Sequence, residues 1–267
     1  MMVFIPFCIP TPPRETAYAP AEPLYRQAGT HPGEEANSHL PVVDKMREDY
    51  FSFDRVLVMD RYPLTGMGLC ALADEVADRA CSEHISTLTA LRQSCQRYEG
   101  KRLLLITELI SNTEPLSEGI ALLREMAPLV LSGQCCVVVC TDLHDPLLLK
   151  VIVSEMLSAV VLRSESLSVL RNAISRAGNA GPEILLSPAV RDSLALVQNH
   201  KLTPREQEWL VTQADGMGLK ASAKAMNVSY KTVSAWRYNI SRHTGAWGKG
   251  AMNRRLAQIR RSVTGGG

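Results

Sequence analysis

From Phe53 onward the sequence alternates between short apolar runs and longer stretches of mixed polarity. FDRVLVMD (53–60), RLLLITE (102–108), CCVVVCT (135–141) and AVVLR (159–163) are rich in Val, Leu and Ile, the texture of parallel strands buried on both faces. Between them lie the helix-length segments LTGMGLCALADEV, STLTALRQSCQRY, LSEGIALLREM, PLLLKVIVSEM and SLSVLRNAISRA. A weaker strand near ADRACSE completes five βα units. The predicted fold of residues 53–177 is α/β, a doubly wound parallel five-stranded sheet, with its functional groups at the carboxyl ends of the strands.

The pattern then loosens. Residues 178–200, with Gly-Pro punctuation and one short helical pattern, read as a linker. Residues 201–263 read as an all-α helix-turn-helix domain. LTPREQEWL opens with a capping box, Thr203 and Glu206 each satisfying the other's backbone N–H. KASAKAMN gives a second short helix, and Ser229 caps a third, SYKTVSAWRYNISRHTG, that ends at Gly245. At 100° per residue, Val233, Trp236, Arg237 and Ile240 share one sector of that helix, and Lys231, Ala235, Tyr238 and Arg242 the opposite one. About 21 Å of helix fits a major groove roughly 12 Å wide. Trp236 reads as a core residue rather than a base-stacking platform. Ser234, Ala235, Tyr238 and Lys231 are candidates for base or phosphate contact, with Thr232 beside them; Lys224, Arg237 and Arg242 suit phosphate clamping. In GAMNRRLAQIRRSV, Met252, Leu256, Ile259 and Val263 form an apolar stripe which, if exposed, is a candidate dimer contact.

Charge changes the picture. From His200 onward there are 12 Lys and Arg against 3 Asp and Glu, leaving 17 basic against 24 acidic residues before that point. A near-neutral total thus hides a basic tail of net +9 on a body of net −7, a footprint of nucleic-acid binding. The composition, 46% apolar and 21% charged, is that of a soluble globular protein, and no apolar run reaches membrane-spanning length. Seven cysteines without regular spacing, three of them in CCVVVC, suggest a reducing cytoplasm with no disulfide or metal framework. Eight of the 15 prolines fall in the first 41 residues, so residues 1–50 read as a flexible leader; a start at Met46 would also account for them. The scattered histidines and cysteines compose no catalytic motif, and neither an enzyme nor a cofactor is expected.

LTPREQEWL followed by MNVSYKTVSAWRYNISRHTG resembles the LuxR/NarL class of bacterial DNA-binding domains over residues 201–263. The resemblance implies that Ser234, Ala235 and Tyr238 face bases. Ala221 and Ser222 depart from it, standing where an acidic and a branched apolar residue are usual, which implies looser packing of that helix. The resemblance also implies an N-terminal receiver domain, and SEGIALL and EILLSPAV are similar to text in capsule-synthesis and fimbrial regulators, including auxiliary members without a phosphorylatable site. A receiver's pocket positions then fall on Asp60 with Arg61 in place of a second acid, Glu108 in place of the acceptor aspartate, Thr141 retained, and Arg163 in place of lysine. Glu108 carries its carboxylate one methylene away from in-line geometry, and Arg61 puts positive charge where a metal ligand belongs. Either Arg61 or Arg163 can pair with Glu108 and Asp60 in place of a metal.

The expected protein is a cytoplasmic, sequence-specific transcriptional regulator, independent of phosphorylation, that binds double-stranded promoter DNA as a dimer. Its alternatives are an auxiliary factor that binds DNA only as a heterodimer with another response regulator, and a small-ligand sensor using the strand-end crevice. RNA polymerase is a further candidate partner; a membrane is not.

Overall fold

In the computed structural model, residues 52–155, 157–177, 183–199, 201–243 and 249–264 are described; the expected leader lies outside them. Five βα units appear in sequence: β1 (Arg55–Met59), α1 (Pro63–Ala77), β2 (Ser82–Ile85), α2 (Leu88–Arg97), β3 (Leu103–Thr107), α3 (Leu116–Leu131), β4 (Cys135–Thr141), α4 (Pro146–Val153), β5 (Ala159–Leu162) and α5 (Leu167–Ala177). The sheet has six strands rather than five, all parallel, in the order β2-β1-β3-β4-β5-β6. The extra strand, β6 (Leu185–Leu186), and helix α6 (Pro188–Ala195) come from the stretch expected to be linker. Two residues are too few for a strand period to show in sequence.

The four inner strands β1, β3, β4 and β5 bury both faces, because successive side chains point to opposite sides, while the edge strands β2 and β6 stay half-buried. Val56, Val58, Leu104, Ile106, Val138 and Cys140 enter the core under α1 and α5. Leu57, Met59, Leu103, Leu105, Val137 and Val139 enter the core under α2, α3 and α4. Burying each such side chain contributes about 1.5–3 kcal/mol, which is why these runs carry no polar alternation. The cysteines here act as small hydrophobes: burial pushes the Cys140 thiol up to about 12.

Four helices follow: α7 (Pro204–Ala214), α8 (Leu219–Ala225), α9 (Tyr230–His243) and α10 (Lys249–Thr264). Their core, including Trp209, Leu210, Val233 and Ile240, is continuous with the one under α2 to α4, and α7 packs on α3 and α4. Polar contacts reinforce this seam at helix ends. Pro115 leaves the N-terminus of α3 without a side-chain cap, and Asp215, at the end of α7, accepts from the Ser117 amide at 3.3 Å instead. Asp145 caps α4 with one oxygen, accepting from the amides of Leu147 and Leu148, while its other oxygen accepts from Arg255 of α10 at 3.3 Å. Both contacts sit at helix N-termini on the carboxyl edge of the sheet. Among the described residues, no helix is long and apolar enough to cross a membrane.

Two glycines test the packing in opposite directions. A Cβ on Gly119 of α3 would lie 2.1 Å from the Leu109 carbonyl oxygen, a backbone atom, whereas one on Gly68 of α1 meets nothing within 4 Å. Gly119→Ala is expected to cost about 1–3 kcal/mol, and Gly68→Ala to gain about 0.5–1 kcal/mol from helix propensity. Urea midpoints that move the same way in both variants would contradict this packing.

Candidate functional site

The helical module begins with the expected capping box: Thr203 Oγ1 accepts from the Glu206 amide at 3.3 Å, and the Thr203 amide donates to Glu206 Oε2 at 2.9 Å. Between α8 and α9 the chain turns through Asn227 at φ 53°, a left-handed conformation that asparagine tolerates. Ser222 proves fully buried and tightly held, not loosely packed. Its Oγ accepts from Gln213 Nε2 at 2.6 Å and from Thr212 Oγ1 at 3.2 Å, and donates to the Gly218 carbonyl at 3.1 Å. A hydroxyl satisfied three ways replaces the branched side chain without leaving a buried polar atom unpaired.

Helix α9 divides as its 100° periodicity predicts. Ser229 Oγ accepts from the Thr232 amide at its start. Val233 and Ile240 are buried and Trp236 half-buried, while Lys231, Ala235, Tyr238 and Arg242 face solvent. Tyr238 is 61% exposed, far more than packing alone would leave a tyrosine. Lys224 on α8 is also exposed, and Thr232 and Ser234 are half-buried at the margin. Arg237 is turned toward α10, where it donates to Asn253 Oδ1 at 2.8 Å. It is therefore less free to clamp a phosphate than its sequence position implied.

At the carboxyl edge of the sheet, strand order brings Asp60, Glu108, Thr141 and Arg163 together from β1, β3, β4 and β5. Arg163 Nη2 donates to Asp60 Oδ2 at 2.7 Å and to Glu108 Oε2 at 2.9 Å; Nη1 donates to Asp142 Oδ2 at 2.6 Å. Thr141 Oγ1 donates to Glu108 Oε1 at 2.8 Å, joined there by the Leu109 amide at 2.8 Å. The Asp142 amide reaches Glu108 Oε2 at 3.2 Å. Glu108 and Asp60 are 2% and 0% exposed. Burial raises both carboxyls above their ordinary range, opposed chiefly by Arg163 at Glu108 and by the Tyr62 amide at Asp60. One guanidinium shared by three carboxylates cannot neutralise them all, which agrees with that direction.

Of the two arginines that sequence left open, the structure pairs Arg163 with the carboxylates. Arg61 turns instead toward α10 and donates from Nη1 to the Val263 carbonyl at 3.4 Å, a cation at the negative end of a helix. Tyr62 lies between them, its ring centroid 4.9 Å from the Arg61 guanidinium and 5.7 Å from that of Arg163.

The family model described as bacterial regulatory proteins, luxR family, matches residues 200–251. Residues 200–251 are a luxR-family helix-turn-helix domain. Regulatory DNA binding, not catalysis, is the role of such a domain. Among solved structures, RcsB of Salmonella enterica serovar Typhimurium bound to promoter P1flhDC with the phosphomimetic BeF3− is 19% identical, with a TM-score of 0.58 over 78% of this chain and 100% of that one. The same protein bound to promoter rprA is 19% identical at a TM-score of 0.55, covering 77% and 98%. A complex of the two-component response regulator RcsB with DNA is 19% identical at a TM-score of 0.50, covering 78% and 99%. The likeness is one of fold, a receiver-like sheet followed by a helical DNA-binding module. No curated protein sequence matches.

Ahead of and within the luxR-family domain, three features were not legible. Asp142 completes the Arg163 cluster; its only signal was an acid directly after Thr141. Asp145 and Asp215 cap helices across the seam, visible in sequence only as acids near turns. The α10 stripe requires correction. Met252, Leu256, Ile259 and Val263 are buried within the chain, in the core that α10 shares with α7, so they offer no surface to a second copy. Periodicity marked the apolar face of α10 but not what covers it.

The pocket generates a pH prediction. Glu108 is raised above its ordinary 4.5, so the native state keeps a proton that the unfolded chain has lost, and its contribution to stability is lost as pH rises from about 4.5 through the raised native value. Glu108→Gln keeps an acceptor for Thr141 and removes the titration. Urea midpoints measured from about pH 4.5 to 7.5 should therefore fall less steeply in the variant than in the parent. An identical slope would show that Glu108 titrates normally.

Proposed function

We propose that this protein is a cytoplasmic transcriptional regulator whose receiver-like half works without phosphorylation and which reads promoter DNA as a dimer. The observation that carries the first part is the Arg163 cluster. Phosphoryl transfer to a receiver requires a divalent cation bound by acidic oxygens next to an acceptor carboxylate. Here the oxygens of Asp60, Glu108 and Asp142 already accept from one guanidinium, and Thr141 is committed to Glu108. The pocket holds its own permanent cation.

For DNA, the outward face of α9 supplies Lys231, Ser234, Ala235, Tyr238 and Arg242, with Thr232 at the margin and Lys224 beside it. Cations clamp phosphates, while the phenol and small residues suit base edges. For the dimer, an exposed apolar patch replaces the buried α10 stripe. Leu64 and Met67 of α1 are 86% and 61% exposed, and Leu167 at the start of α5 is 68% exposed. The two helices pack together and both begin at the carboxyl edge, so these exposed apolar side chains lie at the same end of one face of the sheet. The RcsB structures include one described as two dimers bound to two parallel DNAs.

Two outcomes are expected. Incubation with acetyl phosphate and Mg²⁺ should leave the intact mass and the affinity for promoter DNA unchanged; a stable phosphoryl adduct or tightened binding would show a working acceptor. Tyr238→Ala should lower the ratio of specific to random DNA affinity by about 1–3 kcal/mol, whereas Lys231→Ala should weaken both DNAs alike and reduce the salt slope by about one. Equal losses on all DNA in the tyrosine variant would remove Tyr238 from base readout.

A further inference from the structure

Among the described residues the sheet ends beyond β5 in β6, which pairs with β5 on one side and with no strand on the other. Leu185 and Ser187 donate their amides to the carbonyls of Ser158 and Val160 on the β5 side. Backbone groups alternate in direction along a strand, so the N–H and carbonyl of Leu186, between them, face the open edge. An open edge is a template for another strand.

This edge borders a groove of about 570 Å³. One wall is α5, through Val169, Asn172 and Arg176; the other is the β6–α6 segment, through Ile184, Leu186 and Arg191. Positions 169, 172 and 176 lie on one helix face. Among the described residues no carboxylate lines the groove, and Arg176 and Arg191 are exposed without an ion pair there. Ser187 lines the same floor at 4% exposure, and its hydroxyl has no hydrogen-bond partner there.

We infer that this groove docks an extended acidic peptide segment of a partner protein, added as a strand along β6. Strand addition uses backbone pairing for affinity and alternate side chains for specificity. The amide and carbonyl of Leu186 supply the pairing. Side chains of the added strand on one face meet Val169 and Ile184, and carboxylates flanking them meet Arg176 and Arg191. A nucleic-acid strand carries charge for the arginines but no backbone amide to pair with Leu186, and among the described residues the groove exposes no aromatic ring for a base to stack on.

The test uses the full-length protein and fluorescein-labelled peptides about ten residues long: alternating Val and Glu, alternating Val and Lys, and the acidic peptide N-methylated at alternate residues. Fluorescence anisotropy is expected to show saturable binding of the acidic peptide alone. Arg176→Glu combined with Arg191→Glu, and N-methylation on the pairing edge, should each weaken binding about tenfold or more. Both arginines are exposed, so the double variant keeps its fold, checked by circular dichroism. Lys231→Ala should leave peptide binding intact while weakening DNA, which separates this site from the DNA-binding reading. Failure of the acidic peptide to saturate, unchanged affinity in the double variant, or undiminished binding of the N-methylated peptide would each overturn the proposal. Equal, arginine-dependent binding of a single-stranded DNA ten-mer would assign the groove to polyanions in general and overturn it as well.

Discussion

Arg163 leaves the end of β5 and sets one nitrogen between Asp60, at the end of β1, and Glu108, at the end of β3, while the other reaches Asp142 beyond β4. Four strands that backbone pairing joins in register are thus joined again at their carboxyl ends by one side chain. The geometry is costly to form, because Asp60, Glu108 and the guanidinium give up water together while Asp142 stays half-exposed, and costly to break, because a buried pair that loses one partner forfeits about 3–5 kcal/mol. Burial answers by raising the Asp60 and Glu108 carboxyls, and the acids in turn hold Arg163 charged more firmly than usual. An arginine suits this place better than a lysine, since its fork of donors can address several carboxylates at fixed angles.

The pinned edge is also where the helical module is seated. The loop after β1 sends Arg61 to the end of α10, the helix after the β3 loop receives its cap from Asp215, and the cap of α4 is shared with Arg255. Each of these loops carries, or directly adjoins, a residue of the Arg163 cluster. Packing does the rest, since Trp209 and Leu210 of α7 lie in the same core as the helices they meet. The outward side of α9, with Lys231, Ala235, Tyr238 and Arg242, takes no part in the seam and stays exposed. A rearrangement at the strand ends therefore has a short mechanical route to the DNA-binding helices, through the N-termini of α3 and α4.

Much of this was written in the chain at short range. Apolar runs such as LLLIT and CVVVC announce parallel strands because burial on two faces leaves little place for polar side chains. Thr203 and Glu206 mark a helix start because a capping box is contained within four residues. The faces of α9 followed from 100° per residue alone. The rest depends on contacts distant in sequence. Which arginine meets Glu108 is set by contacts far apart in sequence: Arg163 reaches the carboxylates, while Arg61 meets a helix-end carbonyl of α10. The α10 stripe left packing and a dimer contact open, because nothing near it in sequence says that α7 covers it. β6 escaped notice because its two residues acquire strand geometry only from pairing with β5.

That last pairing sets the position of β5 between two events. Its carboxyl end carries Arg163, and its outer edge carries β6, held through the carbonyls of Ser158 and Val160. Displacing β6 by even part of a residue would require β5 to follow or the ladder to break. A shift of β5 moves the guanidinium against carboxylates it contacts at 2.6–2.9 Å, distances with little slack. At the carboxyl edge the acids are already engaged by the protein's own arginine. The neighbouring strand β6 lies one ladder away from the same arginine, so a displacement of that edge reaches the carboxyl ends of the strands through β5.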